Sequence, residues 1–176
     1  MWYNAIKLCA YKAILLSSNR GDIKLRKICC FAGHSDLCGA DVIYGKLLSV
    51  IKILTETQGI LEYWVGNYGA FDSLCAEAVR ELKIKYPGVQ LNLVVPYLTA
   101  GINEYKEQFY ANFDNILLAD VPENTPKRLK IIKCNQYMIK NADVLVCYVE
   151  HSFGGAAKTL EYARKREVLK IINLAE

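Results

Sequence analysis

Three kinds of residue in this sequence could do chemistry at one place. They are glycines that let backbone amides approach a ligand, a few polar side chains, and one carboxylate behind a glycine turn. The glycines fall in Gly33-His34-Ser35, in Gly66-Asn67-Tyr68-Gly69-Ala70-Phe71-Asp72 and in Gly154-Gly155. Two of these strings lead into helical periodicity, where N–H groups at a helix N-terminus can meet an anion; each also reads as a tight strand-to-helix turn. His34 offers a polar contact to a ligand, although a lone loop histidine is more often structural. Asn135 shares a helical stripe with Ile131, Met138 and Ala142. An amide on an inward stripe must find partners or cost ~1–3 kcal/mol, so it serves either a neighbouring loop or a ligand. Glu161 reads as a surface carboxylate, or as a group that orients a ribose or acts in acid–base work.

Other chemistries are excluded. There is no G-x-G-x-x-G and no Walker lysine motif, which removes an ordinary dinucleotide dehydrogenase or NTPase. Two histidines and no Cys-x-x-Cys pair make no metal site. The seven cysteines are odd in number, and Cys29, Cys30 and Cys147 lie in apolar runs. They read as reduced, small hydrophobes rather than a disulfide framework. Cys38 lies in an exposed loop without a basic partner and does not read as a catalytic thiol. No cofactor is implied.

The elements that must position these groups alternate. Apolar runs at 28–32, 63–65, 91–95, 115–118, 143–149 and 169–172 read as strands. Helical spacing follows Asp41 (Ile43, Leu47, Ile51, Leu54) and Asp72 (Cys75, Val79, Leu82), with each aspartate as the expected N-cap. Pro87-Gly88 stops the second helix. Thr125-Pro126 opens another helix to about Asn141, and a last helix runs near 156–167. This rhythm predicts an α/β, Rossmann-like, doubly wound and mostly parallel sheet with helices on both faces. Ligands of such sheets bind outside the strand carboxyl ends, where the three glycine strings fall.

Length and composition agree with this reading. At 176 residues, residues 27–176 make one domain, and residues 1–26 read as an N-terminal extension with a helix near 4–16. Apolar residues are 53% and charged residues 23%, which excludes a disordered or low-complexity chain. No stretch reaches the ~18 apolar residues of a membrane helix, and no signal peptide is legible, so a cytoplasmic protein is expected. The 22 basic and 18 acidic residues leave only +4, with Arg164-Lys165-Arg166 as the densest basic run. Such mild charge argues against nucleic acid as a partner.

Several motifs together resemble one family. They are Phe31-Ala32-Gly33-His34, Tyr63-Trp64-Val65-Gly66-Asn67, Phe71-Asp72, the stretch 78–87, Asn135-Gln136-Tyr137-Met138 and Asn141-Ala142-Asp143. The run Tyr148-Val149-Glu150-His151-Ser152-Phe153-Gly154-Gly155-Ala156-Ala157 completes the set. Over residues 27–174 the chain is similar to the bacterial YpsA/YoqJ-like group of the SLOG superfamily. That resemblance implies a Rossmann-like fold that binds nucleotides or nucleotide-derived molecules. The superfamily includes the Lonely-guy phosphoribohydrolases, the DNA-processing protein DprA and sensors of NAD-derived signals. Gly154, Gly155 and Glu161 match the glycines and glutamate of the Lonely-guy motif Gly-Gly-x-Gly-Thr-x-x-Glu, while Ala157 and Lys158 replace its third glycine and threonine. Relatives often carry arginine, a bidentate phosphate clamp, at the positions of Ser35 and Cys134. Their loss implies a less anionic ligand, an altered activity or a disused pocket, with Lys133 or Lys158 as partial substitutes.

The resulting expectation is a protein that binds a nucleotide-derived small molecule at the strand carboxyl edge. Gly33, His34, Ser35, Gly66, Asn67, Gly69 and Asp72 would form one side, and Asn135, Gly154 and Gly155 the other. The alternatives are N-glycosidic hydrolysis of a nucleoside monophosphate with Glu161 as the catalytic carboxylate, and a single-stranded DNA-binding or scaffold protein. A homodimer is the expected assembly.

Overall fold

The computed structural model describes residues 26–98, 104 and 106–176. The expected helix at 4–16 therefore lies outside the described residues, as does part of the segment before residue 106.

The described chain runs β1 (Ile28–Gly33), α1 (Ala40–Gln58), β2 (Glu62–Val65), α2 (Ala70–Lys85), β3 (Gln90–Val95), α3 (Lys106–Asn112), β4 (Asn115–Leu118), α4 (Lys127–Asn141), β5 (Val144–Tyr148), α5 (Gly154–Arg164) and β6 (Lys170–Asn173). The short helix α3 falls in a segment whose polar sequence carries no helical stripe. The six strands form one sheet in the order β4-β3-β2-β1-β5-β6, and every pair is parallel.

Strand periodicity of two divides the core into layers on opposite faces of the sheet. Cys29, Phe31, Tyr63, Val65, Leu91 and Leu93 point to the layer that buries Leu47 and Ile51 of α1 and Cys75 and Val79 of α2. Cys30, Ala32, Trp64, Val94, Leu145 and Cys147 point to the layer that buries Met138 of α4 and Leu160 of α5. Strands covered on both faces read as unbroken apolar runs. The fold is the doubly wound, Rossmann-like α/β class.

Helix starts depart from the expected caps. Gly39, Gly69 and Pro126 occupy the N-cap positions of α1, α2 and α4, and none supplies a side-chain cap. Asp41 and Asp72 lie two and three residues beyond these caps, within the first turns. There a carboxylate still favours the helix through the macrodipole. Asp72 reaches back to accept the Tyr68 N–H at 3.0 Å.

On α4 the buried stripe is Cys134, Met138, Ile139 and Ala142, rotated from the expected one. Ile131 is 38% exposed, and Asn135 stands at the edge of the stripe.

Candidate functional site

The strand order reverses between β1 and β5, and the crevice at such a switch point is where open α/β sheets bind ligands. A cleft of about 550 Å³ lies there. It gathers Gly33, His34, Ser35, Gly69, Asp72, Asn135, Gly154 and Gly155 from four separate parts of the sequence. Gly66 and Asn67 instead line a neighbouring cavity of about 280 Å³, with Asp72 common to both. Glu161 lines a third groove beside the cleft. Its side chain is 71% exposed and pairs with Lys165 at 3.1 Å.

Close packing holds the walls. A methyl on Gly33 would fall 2.4 Å from the Phe71 ring, and one on Gly69 would fall 2.7 Å from Cα of Ser35. These glycines let α2 press its first turn against the loop after β1, where the Ala70 N–H donates to the Ser35 carbonyl at 2.9 Å. Gly154 is different: its φ of +88° lies in the region that favours glycine, and the space beside it and beside Gly155 is open.

The loops after β1 and β5 are tied directly. The Glu150 N–H donates to Nε2 of His34 at 3.1 Å. Asn173, at the end of β6, accepts the Val149 N–H at 3.0 Å and donates to the Val149 carbonyl at 3.1 Å. Asn135 donates to Oγ1 of Thr159 at 3.4 Å, and Thr159 donates to the Gly155 carbonyl at 2.9 Å. Asn135 thus reaches a side chain that steadies the glycine turn. Asn173 and Thr159 carry no motif in the sequence; only the packed fold brings them against the backbone of the loop after β5 and the glycine turn.

Three rings form a stack on one wall. His34 and His151 stand 4.0 Å apart, His151 and Phe153 3.8 Å apart, and the Phe153 ring ends the stack 70% exposed. The His34 pKa is lowered, first by burial and then by the charge of His151. A neutral His34 is what accepting the Glu150 N–H requires.

The cleft carries carboxylates but no lysine or arginine among its lining residues: Asp36, Asp72 and Glu150 face it. Burial pushes the Asp72 carboxyl up to about 6. Ser35 is on the cleft and bonds Asp36, whereas Cys134 is wholly buried against the Val94 carbonyl. Lys133 and Lys158 line other grooves.

The cations are elsewhere. α4 reads KRLKIIKCNQYMIKN, five cations without an acid. Ile131 and Asn135 face the cleft from one flank of this helix, while Lys133, Tyr137 and Lys140 line a groove of about 350 Å³ on the other. The run Arg164-Lys165-Arg166 is spent locally: Arg164 pairs with Glu176, Lys165 with Glu161, and Arg166 donates to the Ile139 carbonyl. Among the described residues no cluster of His, Cys, Asp or Glu could hold a metal ion, and no helix is long and apolar enough to cross a membrane.

No family model and no curated protein matches the chain. Solved structures do. DNA processing protein A (DprA) from Streptococcus pneumoniae is similar at a TM-score of 0.59 and 14% identity, over 85% of this chain and 50% of that one. DprA from Helicobacter pylori is similar at 0.58 and 16%, over 86% of this chain and 68% of that one. The chain thus spans half the length of the first and about two thirds of the second. The H. pylori structure is described by its single-stranded DNA binding mode.

That finding corrects the expectation that nucleic acid is not a partner. A protein of this fold has single-stranded DNA as its ligand, and net charge was the wrong quantity to judge by. The +4 of the whole chain conceals a helix that alone carries five cations and no acid. At these identities the likeness carries the fold: the chain has the Rossmann-like α/β fold found in the DprA structures.

Proposed function

We propose that this chain binds single-stranded DNA, with a nucleobase held in the cleft at the β1/β5 switch point. The observation that carries the reading is the stack His34–His151–Phe153, which ends in an exposed ring on the cleft wall. An exposed aromatic face beside a nucleotide-sized cleft suits a base, because every base has a π-face. The carboxylates of Asp36, Asp72 and Glu150 accept hydrogen bonds from exocyclic amino or ring N–H groups and repel phosphate. The DNA-binding DprA of the same fold supports the choice of ligand. Placement in the YpsA/YoqJ-like branch of the SLOG superfamily belongs to this reading and rests on the sequence motifs.

A free nucleotide-derived molecule is the second reading, favoured by the cleft volume of about 550 Å³, which suits a small molecule. N-glycosidic hydrolysis at Glu161 is not proposed, since that carboxylate lies in a neighbouring groove and pairs with Lys165.

The test is fluorescence anisotropy with a labelled oligothymidylate. Phe153→Ala should weaken binding about tenfold or more, since one base–aromatic stack is worth ~1–3 kcal/mol. Binding that survives the substitution unchanged would remove the base from this wall. Full displacement of the oligonucleotide by a mononucleotide at micromolar concentration would favour the second reading.

A further inference from the structure

The cleft and a set of lysines are on opposite flanks of one helix. α4 contributes Ile131 and Asn135 to the cleft, which holds Asp36, Asp72 and Glu150 and no lysine or arginine among its lining residues. The other flank presents Lys130, Lys133 and Lys140. Lys133 and Lys140 are exposed on the 350 Å³ groove, and Lys130 sits 4.9 Å above the ring of Tyr97. Among the described residues Asp120 is the one carboxylate lining that groove. None of the three lysines takes part in an ion pair among the described residues, whereas Lys83, Lys85, Arg164 and Lys165 all do.

This arrangement sorts the two halves of a nucleotide. A phosphate is repelled by the acidic cleft and attracted by the lysine flank. A strand with one base in the cleft must place its following phosphates outside, and α4, which contributes to the cleft wall, presents lysines on its other flank. α4 follows a strand of the parallel sheet topology, so its first turns lie at the carboxyl edge with the cleft, and its last turns lie toward the amino edge. Lys130 is therefore at the cleft end and Lys140 at the far end. At 1.5 Å per residue the interval is about 15 Å, roughly four nucleotides of stacked strand at 3.4 Å each.

We infer that the outer flank of α4 is a phosphate track, along which Lys130, Lys133 and Lys140 guide the backbone of a single DNA strand away from the cleft. The inference rests on the proposed DNA-binding function and extends it to a second, sequence-independent surface. Tyr97 holds Lys130 in place through its ring. Tyr137 is already stacked on Trp64, with ring centroids 6.1 Å apart, and serves as the floor of the groove rather than a platform for bases.

The experiment uses the full chain and labelled oligothymidylates of four and of twenty nucleotides, titrated over a series of salt concentrations. The protein carrying Lys130→Gln, Lys133→Gln and Lys140→Gln is compared with a charge-matched control carrying Lys52→Gln, Lys165→Gln and Lys170→Gln, and with Phe153→Ala. Lys133 and Lys140 are exposed and Lys130 is half-buried over Tyr97, and equal melting temperatures by circular dichroism check that the fold is kept. For the α4 triple variant, affinity for the twenty-nucleotide strand should fall about tenfold or more. The slope of log K against log salt should flatten by about 2, three contacts at ~0.7 each. The control should stay within about threefold of the parent.

Equal losses in the α4 variant and the control would overturn the track, as would a duplex that binds as tightly as the single strand. If Phe153→Ala weakens binding and the α4 variant does not, the track fails and the cleft stands. If the reverse holds, the cleft reading fails and the track stands. No binding of either oligonucleotide by the parent protein would overturn both.

Discussion

His34 and Glu150 are 116 positions apart, yet the Glu150 N–H donates to Nε2 of His34 at 3.1 Å, closing the two loops that flank the switch point into one wall. The bond needs an unprotonated Nε2, and the environment supplies it. Burial and the nearby His151 lower the His34 pKa, outweighing the opposite pull of the Glu150 carboxylate.

This predicts an acid-sensitive wall. Because the folded-state pKa lies below the ordinary 6.5, the unfolded chain binds more protons in the window beneath that value. Stability from this group is complete above pH 6.5 and declines as pH falls through the window to the depressed value. Denaturant titrations from pH 7.5 to 5 should show His34→Gln losing less stability than the parent. Parallel curves would mean that the His34 ring does not set the dependence.

Asp72 should behave in the opposite sense. Its carboxyl is raised from 3.8 to about 6, first by burial, with the Tyr68 N–H pulling the other way. The native state holds the proton more tightly, so stability falls as pH rises from 3.8 to about 6 and stays reduced above that. Asn at this position keeps an acceptor for Tyr68 without the buried charge. Asp72→Asn should match the parent near pH 4 and exceed it by ~1–3 kcal/mol at pH 7. A variant less stable than the parent at pH 7 would contradict this.

The glycines of the cleft should separate into two classes. Gly69→Ala places a methyl 2.7 Å from a backbone atom of Ser35, and overpacking of that kind costs ~1–3 kcal/mol. Gly155→Ala meets nothing within 4 Å and lies in the first turn of α5. It should be neutral or stabilising by up to ~1 kcal/mol, as alanine is the better helix former. Thermal melts of the two proteins decide it, and equal losses would refute the distinction.

Asn173 should matter more than its place at the end of a short edge strand suggests. Alanine there leaves the Val149 N–H and carbonyl without their partners, at a cost of ~1–3 kcal/mol. Hydrogen exchange should rise at Val149 and Glu150 in Asn173→Ala and remain unchanged in β3.

Glu161→Gln should leave oligonucleotide affinity within about twofold of the parent. The carboxylate is solvated, and its i,i+4 pair with Lys165 is worth only ~0.3–0.5 kcal/mol. Loss of binding in that protein would bring Glu161 back to the site.

The parallel, doubly wound fold was legible because its cause is local. Val144–Cys147 is apolar on both faces and Leu91–Val95 is so except at Asn92, and helical stripes such as Ile43, Leu47, Ile51 and Leu54 have one buried side. Period and length distinguish the two without reference to the rest of the chain. The glycine strings could likewise be placed at strand ends by following the order of elements.

What the tertiary structure decided were relations between elements. Residues 66 and 67 follow a strand just as residues 33 and 34 do, but β2 is one strand removed from the switch point, so they open onto a different cavity. Position 134 turns into the core because α4 packs through Cys134, Met138 and Ile139. Charge shows the contrast most plainly. A count along the sequence sums every lysine, whereas folding pairs Lys83, Lys85, Arg164 and Lys165 with carboxylates and leaves the lysines of α4 together on one flank. Electrostatic attraction depends on distance, and only the packed chain determines which charges are near one another.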